Sequence, residues 1–311
     1  MGEPAGIGAE VIVKALEKKS SNNITICGDY DLLQQTAQAN DINLEFQLYS
    51  EATKNNDCIK IIPIKTKTKP QAGKLDSNNA EYVFNTLEQA SEMLLRQEFD
   101  ALVTAPIQKS ILSSKDKIFQ GHTEFFANRA GCKPVMLLAS PKLKVATATT
   151  HIPIKDVPSK ITKNHLIEIC TIIHQELQQK LNIAQPEIIM CGLNPHAGED
   201  GVIGTEEVNA MIPAVNELNR NNIAVTKPIA ADTAFTEANF AKNKVILSMY
   251  HDQGLAPFKA LSFGNSTNIT LGLPYFRSSV DHGTALEIAG KGIANSSSME
   301  FAISTAIGNY Q

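Results

Sequence analysis

Short apolar, β-branched runs alternate with longer amphipathic stretches along the chain. The runs at 23–27, 58–64, 101–104, 134–138, 145–150, 187–191 and 244–249 have the length and composition of buried strands. Between them, 81–98 places Val83, Leu87, Ala90, Met93 and Leu94 on one helical stripe. The stretch 159–181 does the same with Ile161, Leu166, Ile169, Ile172 and Ile173, and 206–221 with Val208, Met211, Ile212, Val215 and Leu218. A short helical run, 125–130, follows Gly121-His122-Thr123-Glu124. The segment 51–79, rich in Lys, Asn and Thr, predicts a loop plus one strand. Strands that alternate with helices predict an α/β fold.

A chain of 311 residues has room for two such lobes, and 43% hydrophobic against 19% charged residues supplies the cores. That balance excludes a disordered chain, a collagen and a coiled coil. The formal charge is −4 and no Lys/Arg-rich run exists, so nothing points to nucleic acid and the expected partner is a small molecule. The five cysteines are scattered without a C-x-x-C, which argues against a disulfide framework or thiolate zinc and fits a cytoplasmic location. There is no signal peptide, and no apolar run approaches the roughly 18 residues of a membrane helix.

Three of the seven histidines share one context. His151, His196 and His251 each follow a predicted buried strand, beside Pro or Gly turns, and are spaced by 45 and 55 residues. In open α/β sheets, loops at the carboxyl ends of strands converge on the ligand site, and these spacings leave room for one helical crossover each. Three neutral imidazoles brought to one point would hold a divalent metal. Any one of them alone reads more readily as a capping or core histidine; it is the repetition of one context three times that favours the metal. His165 and His174, inside the long helix, read as core.

Residues suited to an anion lie elsewhere. Thr123 or His122 can cap the helix that follows Gly121, and N–H groups at such a start favour negative charge. Lys259, Asn268 and Arg277 add two cations and an amide in the C-terminal part. The stretch 280–295 is crowded with small residues, as a loop needs when its backbone approaches a flat ring or a diphosphate. It is not a G-x-G-x-x-G fingerprint.

The strings Gly2-Glu-Pro-Ala-Gly-Ile-Gly8, Gly121-His-Thr-Glu124, Thr150-His-Ile-Pro153, Asn194-Pro-His-Ala-Gly-Glu199, Ala231-Asp-Thr233, Tyr250-His-Asp-Gln-Gly254 and Asn268-Ile-Thr-Leu-Gly-Leu-Pro274 together resemble the 4-hydroxythreonine-4-phosphate dehydrogenase family. Residues 282–295 also resemble the adenosine-binding loop of isocitrate and isopropylmalate dehydrogenases. The resemblance implies the fold of those enzymes: two α/β/α subdomains with a cleft between them. The expected division is 1–105 with 262–311 on the cofactor side, and 106–261 on the metal and dimer side. It further implies a homodimer with its active site near the subunit interface, NAD or NADP, and one divalent ion (Zn, Co, Mn or Mg) per subunit. Carried onto this chain, the metal ligands fall on His151, His196 and His251. The substrate contacts fall on His122, Thr123, Lys259, Asn268 and Arg277, and the cofactor contacts on His282, Gly283, Thr284, Ala285 and Asn295.

The implied reaction oxidises 4-phosphooxy-L-threonine to a β-keto acid, which decarboxylates to the aminoketone phosphate used in pyridoxal 5′-phosphate biosynthesis. Asp232 and Asp252 are the candidate bases, and either could instead orient a metal histidine. Two alternatives stand beside this reading. One is a paralogue acting on 4-phosphoerythronate or 4-phosphothreonate. The other is a truncated, non-catalytic homologue, because family members carry a strand before the Gly2–Gly8 turn. Loss of that strand would leave neighbouring backbone groups unpaired, although every later motif is intact and a mis-set start codon explains the start more simply.

Overall fold

The computed structural model describes residues 1–18, 24–50, 58–113, 119–262 and 264–308. Positions 51–57 of the expected loop, and residue 23 of the first expected strand, lie outside that set. Strands form at Thr25–Gly28 (β1), Phe46–Leu48 (β2), Ile59–Pro63 (β3), Ala101–Thr104 (β4), Val135–Ala139 (β5) and Lys144–Thr147 (β6). They continue with Glu187–Met190 (β7), Ala224–Val225 (β8), Lys244–Ser248 (β9), Thr267–Leu271 (β10) and Phe276–Val280 (β11). All seven expected strands are present. The sequence pattern missed β2, β8, β10 and β11. In β11 every residue is buried although three of the five are Arg or Ser, so hydrogen bonding rather than apolar content carries the burial.

The chain divides into two compact units, Met1–Gly131 with Arg277–Asn309, and Cys132–Phe276. Both boundaries fall later than the expected 105/106 and 261/262. Helix His122–Ala130 packs on helix Ala80–Leu95 and so stays with the first unit. Strand β10 pairs antiparallel with β5, Asn268 opposite Leu138, and so stays with the second.

In the first unit, β1, β3 and β2 form a parallel sheet in the order β1-β3-β2, over a core that includes Val11, Leu16, Leu33 and Ile61. The glycine-rich start is a turn that runs directly into helix Gly8–Glu17. The Met1 ammonium donates to the Cys27 carbonyl at 2.6 Å, and the Glu3 N–H donates to Pro106 O at 2.9 Å. Strands β1 and β4 do not pair with each other. A cavity of about 840 Å³ is lined by both, with Ile26, Cys27, Val103, Thr104, Leu87 and Phe126 among its walls.

In the second unit, six strands follow the order β10-β5-β6-β9-β7-β8. Strands β6, β9 and β7 are adjacent and parallel, with Ala146 opposite Leu247 and Ile189 opposite Ile246. Their carboxyl ends therefore open on one sheet edge. Leu138, Val145, Ile189, Ile246 and Phe258 pack beneath it. The expected helix at 159–181 is broken: a turn at Val157–Lys160 precedes helix Lys163–Leu181, because extended Thr162 caps the latter by accepting from His165 N. The stretch 206–221 also splits, into a π-helical turn Glu207–Met211 and helix Ile212–Arg220. No helix among the described residues is long and apolar enough to cross a membrane.

Candidate active site

Three parallel neighbours place three histidines on one edge. Beyond β6 and β9 the backbone ladder continues, with Ala148 N donating to Ser248 O and Thr149 N to Met249 O. The two chains leave the sheet side by side, and the His151 and His251 rings end with centroids 5.8 Å apart. His251 opens helix His251–Ser262. Gly254 lets that helix settle on the strand ends, because a Cβ there would lie 2.4 Å from Ser248 Oγ and 3.0 Å from Val145 Cγ1.

His251 Nδ1 donates to Asp252 Oδ1 at 2.7 Å, which leaves Nε2 as the ring nitrogen that a cation could take. His196 follows β7, the neighbour of β9, and is exposed. It begins a left-handed run: His196, Ala197, Gly198, Glu199 and Asp200 have φ of 53°, 53°, 79°, 45° and 53°. For the four non-glycine residues this conformation costs roughly 1–2 kcal/mol each. Such a run persists only where its surroundings over-determine it.

The three histidines do not form one ligand cluster within the chain. Among the described residues, no group of three or more His, Cys, Asp or Glu side chains is gathered closely enough to hold a metal. The structure brings His151 and His251 together and leaves His196 at the neighbouring strand end. Asp232 is exposed on the short helix Ala231–Ala234, where its carboxylate accepts from Thr233 N at 2.8 Å. Asp252 is committed to His251.

The anion residues divide between the units. In the first, helix His122–Ala130 starts with Gly121 as N-cap and no side-chain cap. The expected Thr or His cap is not formed, because the helix begins at His122 itself, and its first N–H groups are left uncapped. Arg277, 2% exposed, donates from Nη2 to Thr104 Oγ1 at 2.8 Å and from Nη1 to Thr123 Oγ1 at 3.3 Å. Its guanidinium lies 5.6 Å over the Phe126 ring. His122 stacks on the same ring at 6.3 Å. Burial, and then the nearby Arg277 charge, hold the His122 pKa well below the ordinary value of 6.5, so the ring is neutral at pH 7.

In the second unit, Lys259 stands two turns beyond His251 on the same helix. Asn268 lies in β10 with its Oδ1 buried and unpartnered among the described residues. A buried acceptor without a donor is uncommon in a folded protein and leaves Asn268 Oδ1 with capacity to accept a hydrogen bond.

The small-residue segment after β11 is irregular, as its composition suggests. Gly6 abuts Thr284, where a Cβ would lie 2.9 Å from the carbonyl, and Ile7 N donates to that same oxygen. Thr284 Oγ1 donates to Gln108 Oε1 at 3.0 Å, and His282 Nδ1 contacts Gly283 O at 3.0 Å. Ala285 adopts φ 44°. Asn295 is exposed and its side chain accepts from Ser297 N. Lys14 Nζ donates to Gly292 O at 2.8 Å and Ala294 O at 3.1 Å, while Glu10 accepts from Ala294 N at 2.8 Å. Helix Gly8–Glu17 thereby clasps the loop.

Two residues at the histidine edge were not singled out by sequence. Gln253 accepts from Met249 N at 2.7 Å and donates to Gly192 O at 2.8 Å, so it ties the end of β9 to the end of β7. Glu207, 1% exposed, accepts from Leu193 N and Asn194 N at 2.8 Å each. Only the placement of Gln253 inside the Tyr250–Gly254 string hinted at a role. Nothing in the sequence marked Glu207.

Comparison with known proteins agrees with this architecture. A 4-hydroxythreonine-4-phosphate dehydrogenase of Shewanella frigidimarina is 43% identical over 311 residues, covering 98% of this chain and 95% of the relative. A crystal structure of a 4-hydroxythreonine-4-phosphate dehydrogenase from Klebsiella pneumoniae superposes with a TM-score of 0.87 at 32% identity, covering 100% of this chain and 98% of the other. One from Burkholderia phymatum superposes at 0.84 and 35% identity, covering 100% and 96%. Residues 20–306 match the family described as pyridoxal phosphate biosynthetic protein PdxA, and the chain belongs to that family.

Proposed function

We propose that the protein oxidises 4-phosphooxy-L-threonine with NAD or NADP and a divalent ion, giving 2-amino-3-oxo-4-phosphooxybutanoate, which decarboxylates to 3-amino-2-oxopropyl phosphate. Family membership supports the reaction, and the His151–His251 pair at the strand ends carries the reading for this chain. What supports a divalent ion is the chemistry of the donors: two neighbouring imidazoles, one bonded through Nδ1 to a carboxylate, with a third histidine following the adjacent strand.

When bound, the nicotinamide supplies the hydride acceptor, and the ion supplies Lewis-acid polarisation of substrate oxygen. His151, His196 and His251 would hold the ion. Asp252 keeps the His251 proton on Nδ1. Arg277, Thr123 and the uncapped first turn at His122 bind charged substrate oxygens, and neutral His122 adds a hydrogen bond. Lys259 adds a cation, and Asn268 Oδ1 accepts a substrate N–H or O–H. Asp232, whose carboxylate accepts from Thr233 N rather than from a histidine, is the better suited of the two carboxylates to take up a proton. Loop 282–295, with His282, Gly283, Thr284, Ala285 and Asn295, receives the adenosine part of the cofactor.

We further infer a homodimer whose interface includes the His196 loop. Val202, Ile203 and Val208 beside that loop are 80%, 40% and 44% exposed, an apolar surface that association would cover.

The test is NADH formation by the purified protein on 4-phosphooxy-L-threonine, 4-phosphoerythronate and 4-phosphothreonate, with added Zn, Co, Mn or Mg. Turnover should be greatest on the amino acid phosphate, should cease after chelation, and should be absent in His196→Ala. Near-normal turnover by chelated protein, or preference for either of the other phosphates, would refute the assignment.

A further inference from the structure

Five consecutive left-handed residues following a strand do not hold themselves, and the structure contains what holds them. The Glu207 carboxylate is buried behind the loop at 1% exposure. Its Oε1 accepts from Leu193 N and Asn194 N at 2.8 Å each, and its Oε2 accepts from Asn194 Nδ2 at 2.9 Å. The loop is moulded around those two oxygens: a Cβ on Gly198 would lie 2.6 Å from Oε2, and one on Gly192 would lie 3.3 Å from Oε1. Glu206 Oε2 takes a further bond from Asn194 Nδ2 at 2.8 Å. Glu207 itself opens a single π-helical turn, Glu207–Met211, a distortion often found where a helix has been reshaped to aim a side chain.

We propose that Glu207 is a positioning residue for metal binding: by fixing Leu193 and Asn194 it forces the chain into the left-handed turn that aims His196. This rests on the reading of His196 as a metal ligand. Glu207 is buried and its carboxylate accepts from Leu193 and Asn194 of the loop, so it is assigned no contact with substrate. Its removal should loosen the ion without altering the chemistry once the ion is bound. Partners that orient a ligand are typically worth roughly 10–100-fold in metal affinity.

The experiment measures Zn²⁺ affinity by equilibrium dialysis, thermal stability of the metal-free protein, and kcat at saturating Zn²⁺, for the parent, Glu207→Gln, Asn194→Ala and His196→Ala. Glu207→Gln keeps the volume but replaces one acceptor oxygen by a donor. It should bind Zn²⁺ about 10–100-fold more weakly and recover near-parental kcat when excess Zn²⁺ is supplied. Asn194→Ala leaves the backbone bonds to Glu207 and serves if Glu207→Gln does not fold; it should weaken Zn²⁺ binding several-fold. His196→Ala should lose binding and should not recover with excess metal. If His196→Ala loses Zn²⁺ while the folded Glu207 and Asn194 variants bind as tightly as the parent, the positioning role is refuted and the metal reading survives. If His196→Ala binds Zn²⁺ like the parent, the metal reading fails and takes this inference with it.

Discussion

Asp252 Oδ1 accepts a hydrogen bond from His251 Nδ1 at 2.7 Å, and the two residues are neighbours at the start of one helix. The bond leaves Asp252 a poor candidate for the general base, because its carboxylate is already spent on a tautomer. Asp252→Asn should therefore weaken metal binding about tenfold, by releasing the imidazole, while kcat at saturating metal changes little. A base would behave differently: its loss lowers kcat by about 10²-fold or more at any metal concentration and removes the acid limb of the pH–rate profile. Steady-state kinetics across a metal titration separates the two.

Arg277 is held in place by its own neighbours, with Thr104 and Thr123 as acceptors and Phe126 beneath the guanidinium. Lysine can supply the charge but not the planar fork or the stacking. Loss of a charge-assisted hydrogen bond to substrate is worth about 1.5–3 kcal/mol. Arg277→Lys should thus lower kcat/KM for the phosphorylated substrate roughly 10- to 100-fold, with the KM for NAD and the Zn²⁺ affinity unchanged. An unchanged kcat/KM would remove Arg277 from the substrate site.

His122 carries a pH signature. Its pKa is below 6.5 in the folded chain, chiefly through burial and then through Arg277, so the unfolded chain binds the proton more readily. Stability from this group is fully present above pH 6.5 and is lost as pH falls toward the lower folded pKa. His165 and His174 are also lowered by burial and act in the same direction. The melting temperature should fall between pH 7 and pH 5, and the fall should be smaller in His122→Asn. An equal slope in parent and variant would show that His122 is not held neutral.

Much of this was legible in sequence because each legible feature has a local cause. The seven apolar runs became strands, and parallel neighbours β6, β9 and β7 put His151, His251 and His196 on one edge without further information. The illegible parts depend on partners distant in the chain. Strand β11 reads as polar, and its burial relies on Arg277 finding Thr104 and Thr123, each more than 150 residues away, and on Ser278 donating to Ala302 O. Glu207 reads as an ordinary charge at a helix start. Its burial follows from the loop that folds over it thirteen and fourteen residues earlier. The closeness of His151 to His251, with His196 left apart, is likewise set by loop conformation rather than by spacing. Gly198 and Asp200 are types that enter the left-handed region readily, but a five-residue run through it that includes Ala197 and Glu199 is not readable from spacing.

Lys14 ties the proposed cofactor loop to the first helix, and its action is separable from the metal. Its ammonium donates to Gly292 O and Ala294 O and pairs with Glu10, which itself accepts from Ala294 N. Three strands of chemistry meet there: a cation, a carboxylate and two backbone carbonyls whose loop otherwise lacks regular structure. Each net hydrogen bond contributes about 0.5–1.5 kcal/mol. Lys14→Ala should therefore let residues 290–295 drift and raise the KM for NAD roughly 3- to 30-fold. Zn²⁺ affinity, governed by the second unit, should stay at the parental value, as should the KM for the phosphorylated substrate. Dialysis and initial-rate measurements on one preparation check all three quantities. A parental KM for NAD in a folded Lys14→Ala protein would mean that the loop between His282 and Asn295 does not receive the cofactor in the conformation that Lys14 holds.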